Sequence, residues 1–414
     1  MTEFRTMLIM VLNPGGNSLK AEIVQTEPSQ SHAFEGKMLV SLAIEGIGKE
    51  PQLLTYDGKK IVATESIDAA DYRTAAESLL ERFANSTARG LPALSEIDCV
   101  GVRVVHGGLE LSSPTPITAE VAEKIRELET LAPLHNKNSL EVLEPVSRAL
   151  HGVPIYGVFD TAFHRTIPDH AALYAIPPEI AAKYRIRRYG FHGISHRYLL
   201  ERYASLAGKS PAECNLITMH LESGCSVTAI HEGKSVDNTM GLTPLEGLMM
   251  GTRSGDIDPS VIPLLVNEGG MCLDEVMHLL NKESGLQGVS GESLDTRVLM
   301  KKYGSDARVT LAMDMFVYRV VKAVGAYLAA VGEVEAIIFG GGIAENNVLL
   351  RQSIDKALRR FGLEMDPQAI HDVIDIEGRL STSRSAIQAW VIPVEEGLEI
   401  AHECCQAHAA RAAS

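Results

Sequence analysis

Apolar and polar positions along this chain follow two rhythms: a period of two over short runs and a period near 3.6 over longer ones. Met7–Leu12 is an apolar run ending in Asn13-Pro14-Gly15-Gly16-Asn17, and Ser18–Val24 resumes alternation with Leu19, Ala21 and Ile23 on one face. This predicts a β-hairpin closed by a glycine-rich turn. Near mid-chain the pattern recurs. Strands are predicted over Leu216–Leu221 and Ser226–Ile230, with Glu222-Ser223-Gly224 between them and the turn His231-Glu232-Gly233 after them. In both hairpins a Ser stands two residues on from a Gly, which suggests an internal duplication.

Between the hairpins, Ala75–Ala84, Ala119–Glu129 and Asn138–Leu150 carry apolar residues at spacings of three and four, as amphipathic helices do. Val309–Val331 predicts a long Ala- and Val-rich helix, and the tail beyond Cys405 a fraying helix end. Pro154–Phe159 predicts a buried strand ending at Asp160. Ala336–Phe339 predicts a short strand running into Gly340-Gly341-Gly342, with a helix from Asn346. Strands alternating with helices give an α/β class.

Length changes this picture by dividing it, since 414 residues exceed one ordinary core and imply two domains. A hydrophobic content of 45% with 22% charged residues is that of a globular chain. The formal net charge of -15 argues against a nucleic-acid partner and against docking on an anionic membrane. An anionic ligand must therefore meet a locally basic pocket. Met7–Leu12 is too short for a membrane span or a signal peptide, Glu3 precedes it, and no small-x-small cleavage site follows. The six cysteines lack any CxxC spacing, which fits a reducing cytoplasm and no zinc finger.

Three glycine turns follow strands, at Pro14–Asn17, Ser223–Gly224 and Gly340–Gly342, and glycine lets backbone N–H groups approach phosphate oxygens. Gly233-Lys234-Ser235 mimics the end of a Walker A loop, but Thr228 stands where that loop needs Gly. Gly340-x-Gly342 has Glu345 in place of the third Gly of a dinucleotide fingerprint. Cationic and imidazole residues recur in Gly-flanked or Pro-flanked segments: Arg103 and His106, His135, Arg187 to His192, and Arg253, with Asp160 at a strand end. Phosphoryl transfer needs such fixed donors, because its transition state spreads negative charge. His192 and His196 are four apart but have no third ligand at zinc spacing.

The segments RVVHGG (103–108), LAPLHN (131–136), VFDTAFH (158–164), RIRRYGFHGISHRY (185–198), MGLTPLEGLMMGTRSGDIDP (240–259) and GGIAEN (341–346) occur in order. Together they resemble the acetate kinase family, within the superfamily of sugar kinases, actin and heat-shock ATPases. The resemblance runs from Leu12 to about Ala401. It implies two duplicated actin-like (ribonuclease H-like) domains with the active site in the interdomain cleft, and a homodimer. The domains would be 1–161, completed by a helix over 397–414, and a nucleotide-binding domain over 162–396.

The resemblance also implies roles. Arg103 and Arg253 would hold the carboxylate and the transferring phosphoryl group, tasks suited to planar guanidinium forks. His192 and His135 would donate to phosphoryl oxygens, and Asp160 would be the essential carboxylate. Val105, Leu134 and Pro244 would surround the substrate's alkyl end. Lys20, His220, Leu221, Glu222, Ser223 and Gly224 would meet the nucleotide's phosphates. Asp295, Thr296, Arg297 and the run Gly342, Ile343, Ala344, Glu345, Asn346 would form the nucleoside pocket. Asn13 and Glu396 would bind Mg²⁺, with ATP and ADP as co-substrates.

The donor side departs from the family. Gly16 replaces a Ser, Glu222 and Ser223 replace Gly and Asn in His-Leu-Gly-Asn-Gly, Thr296 replaces an aromatic, and Ala344 replaces a Gly. The expected activity is an acetate kinase. The alternatives are an acyl-phosphate kinase with another donor, such as pyrophosphate, and a non-catalytic actin-like nucleotide-binding protein.

Overall fold

A computed structural model describes residues 6–28, 36–85, 92–132 and 135–412, arranged as two compact units. Unit one comprises Met1–Phe163, Gly193–Tyr198 and Glu395–Ser414; unit two comprises His164–His192 and Leu199–Val394.

In unit one, β1 (Met7–Pro14), β2 (Ser18–Thr26), β3 (Lys37–Glu45), β4 (Gln52–Asp57), β5 (Lys60–Ser66), β6 (Cys99–Val104), β7 (Thr115–Pro116) and β8 (Ile155–Phe159) form one sheet. Their order is β5-β4-β3-β2-β1-β6-β8-β7. Strand β1 is buried on both faces, which is why it reads as a continuous apolar run rather than an alternation. Met10 and Leu12 pack with Leu19, Ala21 and Ile23 beneath the helices Tyr72–Asn85 and His135–Ala149. Ile9 and Val11 pack on the opposite face with Ile400, Ala401, Cys404 and Cys405 of the helix Glu396–Ala412. A Cβ on Gly101 would lie 2.7 Å from both Cys404 Sγ and Ile400 Cγ2, so the glycine lets this helix lie close against β6. The expected fraying tail is thus helical to Ala412, anchored through its two buried cysteines.

Unit two has β9 (Leu216–Leu221), β10 (Cys225–His231), β11 (Lys234–Asn238), β12 (Ala336–Gly340), β13 (Gly378–Arg379) and β14 (Gln388–Val391), ordered β11-β10-β9-β12-β14-β13. The strands β3-β2-β1-β6-β8-β7 match this order and direction. In each unit three antiparallel strands adjoin two parallel ones, and a short antiparallel strand closes the edge. The duplication inferred from two hairpins therefore extends through whole sheets, with β4 and β5 added to the first. The long helix Ala307–Val331 buries Val309, Met313, Phe316, Val320 and Val324, the three-and-four spacing of one helical face.

One local expectation is corrected. The helix after β12 begins at Gly342, not Asn346; Gly342–Asn346 forms a short helix, and Asn347 caps a second over Val348–Leu358. Among the described residues no helix is long and apolar enough to cross a membrane.

Unit two also buries a neutral imidazole. His164 Nε2 faces the Phe191 carbonyl at 3.0 Å, so it donates there, while Nδ1 accepts from Ser235 Oγ at 2.8 Å. Burial, opposed by the Phe191 hydrogen bond, brings its pKa down to about 4. Below pH 6.5 the unfolded chain takes up a proton that the folded state refuses until about pH 4. This contribution to stability is therefore complete above pH 6.5 and lost as pH falls. Chemical unfolding at pH 7, 6 and 5 should show stability falling with acidification, and His164→Gln should reduce that dependence by ~1.4 kcal/mol per pH unit. An unchanged slope in the folded variant refutes the assignment.

Candidate active site

Parallel pairing of β1, β6 and β8 puts three polar residues side by side at the carboxyl ends of adjacent strands. Such ends are where open α/β sheets bind ligands. Asn13 lies at the end of β1, Arg103 near the end of β6, and Asp160 just after β8. Asp160 accepts Arg103 Nε at 3.1 Å on each oxygen and Arg103 Nη2 at 2.6 Å, a forked and therefore directional grip. Arg103 Nη1 donates to Asn13 Oδ1 at 3.1 Å, and Asn13 Nδ2 donates to Glu396 Oε2 at 2.7 Å. The other Glu396 oxygen accepts from Ser195 Oγ. The 193–198 segment is brought here by Gly193, whose N–H donates to the Asp160 carbonyl at 2.9 Å.

Lys20 pairs in register with Asn13 across the hairpin. Its ammonium lies 2.6 Å from the buried Glu22; burial pulls its pKa down, but Glu22 and then Glu395 outweigh that and raise it. The Lys20 cation is thus tied to a carboxylate of its own strand. His135 is half-buried as the first residue of its helix, which Ser139 Oγ ties to the Arg103 carbonyl at 2.9 Å. Val105 is buried, and Leu134 lies outside the described residues. His106 has a structural place. It is fully buried, Nδ1 accepts from Gly108 N–H at 3.0 Å, and burial drives its pKa down to about 4.

Unit two gathers a second set around the β9–β10 turn. A Cβ on Gly224 would lie 3.2 Å from the His192 ring and 3.4 Å from Arg253 Nη1, so only glycine keeps that space open. His192 has φ 58°, a left-handed conformation uncommon for a residue other than glycine and often kept at functional sites. Its Nδ1 meets Ser226 Oγ at 2.9 Å; with the hydroxyl donating, the proton sits on Nε2. The His220 ring is 4.6 Å from that of His192, and its buried Nδ1 has no protein partner among the described residues.

Arg253 donates Nη1 to the Pro244 carbonyl at 3.0 Å. Burial lowers its pKa, and among the described residues no carboxylate pairs with it. Gly251 N–H reaches the Ser223 carbonyl at 3.3 Å, joining the two loops. Ser223 and Glu222 are exposed, and Leu221 is buried. Glu222 Oε1 accepts from Gly342 N–H at 3.4 Å, so this carboxylate turns toward the third glycine turn.

The remaining expected nucleoside residues serve several ends. Asp295 caps the helix Thr296–Met300, accepting Arg297 N–H at 2.8 Å, and is forked by the exposed Arg297 guanidinium. Thr296 and Ala344 are buried, Ile343 is half-buried, and Asn346 donates to the Gly342 carbonyl at 2.9 Å. Glu345 is buried, its carboxylate accepting from the backbone N–H groups of Gly341 and Val394.

Sequence reasoning passed over Ser195, Ser226 and Glu22, which orient Glu396, His192 and Lys20. Their only signal was proximity to the motifs. Of the cations gathered at 185–192, Arg188 is structural: it donates to the carbonyls of Asn238, Thr239 and Met240 and pairs with Glu246 at 2.7 Å.

Residues 8–402 match the sequence profile of the Acetokinase family. An acetate kinase of Halothermothrix orenii is 42% identical over 400 residues, covering 96% of this chain and 98% of its own. The solved acetate kinase of Porphyromonas gingivalis superposes with a TM-score of 0.85 at 36% identity, over 95% of this chain and 98% of that one. A propionate kinase of Francisella tularensis has the same TM-score and identity over 96% and 98%.

Proposed function

The chain belongs to the acetokinase family, and on that premise we propose that it acts as an acetate kinase. The ATP γ-phosphoryl group moves reversibly to acetate, giving acetyl phosphate and ADP. The observation that carries this reading is Arg253, a half-buried guanidinium without a carboxylate partner among the described residues, in a chain of net charge -15. Beside it are the cradle of Gly224 and the His192 ring. A cation kept unneutralised at such a place is suited to an anion that arrives and leaves.

Acetate is already ionised at neutral pH and attacks without a general base. Arg103, steadied by Asp160, would hold its carboxylate. Arg253 and His192, with His135, would stabilise the equatorial phosphoryl oxygens. Asp160 orients rather than abstracts, since its oxygens are occupied by Arg103. His220, whose buried Nδ1 has no protein partner among the described residues, and the Gly224 and Gly340–Gly342 turns would receive the donor's phosphates. Lys20 would join them.

The oxygen donors Asn13 and Glu396 fit Mg²⁺, a hard cation. Among the described residues no three His, Cys, Asp or Glu side chains are grouped to hold a metal, so nucleotide and water would supply most ligands. The ion would draw charge from the phosphates and fix their orientation.

Neither another phosphoryl carrier nor a non-catalytic actin-like role gains support from the relatives, which are named acetate kinases along their full length. Exposed apolar residues crowd three helices of unit two, among them Leu264, Leu273, Leu311 and Tyr318. Exposed apolar residues of this kind support a homodimer. The net charge supports the absence of nucleic-acid and membrane partners, and six free thiols support a cytoplasmic setting.

A hydroxamate assay with acetate and Mg-ATP tests the reaction, and absence of acyl phosphate refutes it. Arg253→Ala, and separately Arg103→Ala, should lower kcat by about 10³-fold; near-normal turnover in a folded variant removes the assigned role. Glu222 brings negative charge to the donor side. Glu222→Gly should lower the nucleotide KM and leave the acetate KM nearly unchanged; steady-state kinetics in which neither constant moves show that Glu222 does not face the nucleotide.

Acyl length is open to the same kind of test, because one solved neighbour is an acetate kinase and another a propionate kinase. If the alkyl end meets Val105, as the family resemblance implies, an extra methylene that fits contributes about 1 kcal/mol. One that does not fit costs about 1–3 kcal/mol. Acetate should lead propionate in kcat/KM by roughly ten-fold, with butyrate poorer still. Val105→Ala should narrow or reverse that order; an unchanged ratio in the folded variant places the pocket elsewhere.

A further inference from the structure

We propose that Glu345 and Arg351 are positioning residues that set the Gly340–Gly342 turn for the donor and tie it to the chain leaving β14 at Val394. The proposal rests on assigning that turn to the nucleotide. Glu345 is 4% exposed, and its Oε1 accepts from Gly341 N–H at 2.8 Å and from Val394 N–H at 3.3 Å. Gly341 has φ 82°, and a Cβ there would lie 2.7 Å from the Leu221 nitrogen. The turn is thus pressed against the end of β9, one residue before Glu222. A single carboxylate holds this crowded turn and Val394, which leads directly to Glu395 and Glu396.

Arg351 grips the same turn from its far end. Fully buried, it donates Nε to the Ala344 carbonyl at 3.2 Å and Nη2 to the Glu345 carbonyl. Its Nη1 donates to the Ile370 carbonyl at 3.1 Å and the Val373 carbonyl at 2.6 Å. These carbonyls end two helices, Gly342–Asn346 and Pro367–Asp372, where partial negative charge favours a cation. Burial, opposed by Glu345, lowers the Arg351 pKa to about 10, so it stays charged at neutral pH. Two opposite charges inside a protein are costly unless their hydrogen bonds are satisfied. Here the backbone groups that satisfy them belong to the donor-side turn or to segments packed around it. A stitch with only a stabilising purpose would lower apparent kcat through loss of folded enzyme and leave both KM values unchanged. A stitch that sets the spacing of phosphate-facing amides alters donor binding first.

The test uses the full-length enzyme with Glu345→Gln and Arg351→Lys, varying Mg-ATP and acetate separately and recording thermal midpoints. The nucleotide KM should rise about ten-fold in each variant, with the acetate KM within about two-fold of wild type. A folded variant with an unchanged nucleotide KM, or with both KM values raised alike, overturns the proposal. If Arg351→Lys does not fold, Glu345→Gln decides, because it preserves side-chain size and one acceptor. Calorimetric titration with Mg-ATP alone separates this proposal from the reaction assignment. Wild-type enzyme that binds ATP without forming acetyl phosphate overturns only the reaction, and a Kd weakened about ten-fold in Glu345→Gln then still supports the positioning role. A wild-type enzyme that does not bind ATP overturns both.

Discussion

A guanidinium gripped by both oxygens of one carboxylate has little freedom to turn, and the grip of Asp160 on Arg103 governs the polar network at the carboxyl ends of the unit-one strands. With Nε and Nη2 taken by Asp160, Nη1 points to Asn13, and Asn13 in turn points to Glu396. The order of side chains follows from the order of strands. Parallel register sets β1, β6 and β8 side by side, so residues some fifty to ninety positions apart meet where those strands end. The fork also limits what Asp160 can do chemically. A carboxylate so engaged fixes the direction of Arg103.

Unit two handles its charge differently. Arg253 has a carbonyl and a thioether as partners, and its guanidinium stays in place by burial and loop geometry rather than by a counter-ion. The contrast with Arg103 has an electrostatic logic. A cation neutralised by a fixed carboxylate offers direction and little net attraction, whereas one without a counter-ion offers both. In a strongly acidic molecule, such unneutralised cations are where anions can collect.

The duplicated sheets carry unlike chemistry on like topology. The first hairpin turn ends beside the Arg103 network and is held by Tyr72 and Asn138, whose side chains donate to the Gly15 carbonyl. The second ends beside two imidazoles and Arg253. Equivalent strand ends thus serve as a common frame, and the side chains placed on them decide what each unit binds.

Local pattern by itself determined the hairpins, the long helix and the strand ends, because period and turn chemistry act over a few residues. The family motifs, each a short local string, likewise named Arg103, Asp160, His192 and Arg253. The helix start at Gly342 was not legible. Three consecutive glycines disfavour helix, and the preference is overridden by Glu345 capping Gly341 and Arg351 holding the helix's last carbonyls. Nor could pattern tell Arg188 from Arg253, two arginines in similar Gly-bearing loops. One is consumed by three carbonyls and Glu246; among the described residues no carboxylate pairs with the other. The side chain that neutralises or spares a cation comes from dozens of residues away, and only tertiary packing decides which one arrives.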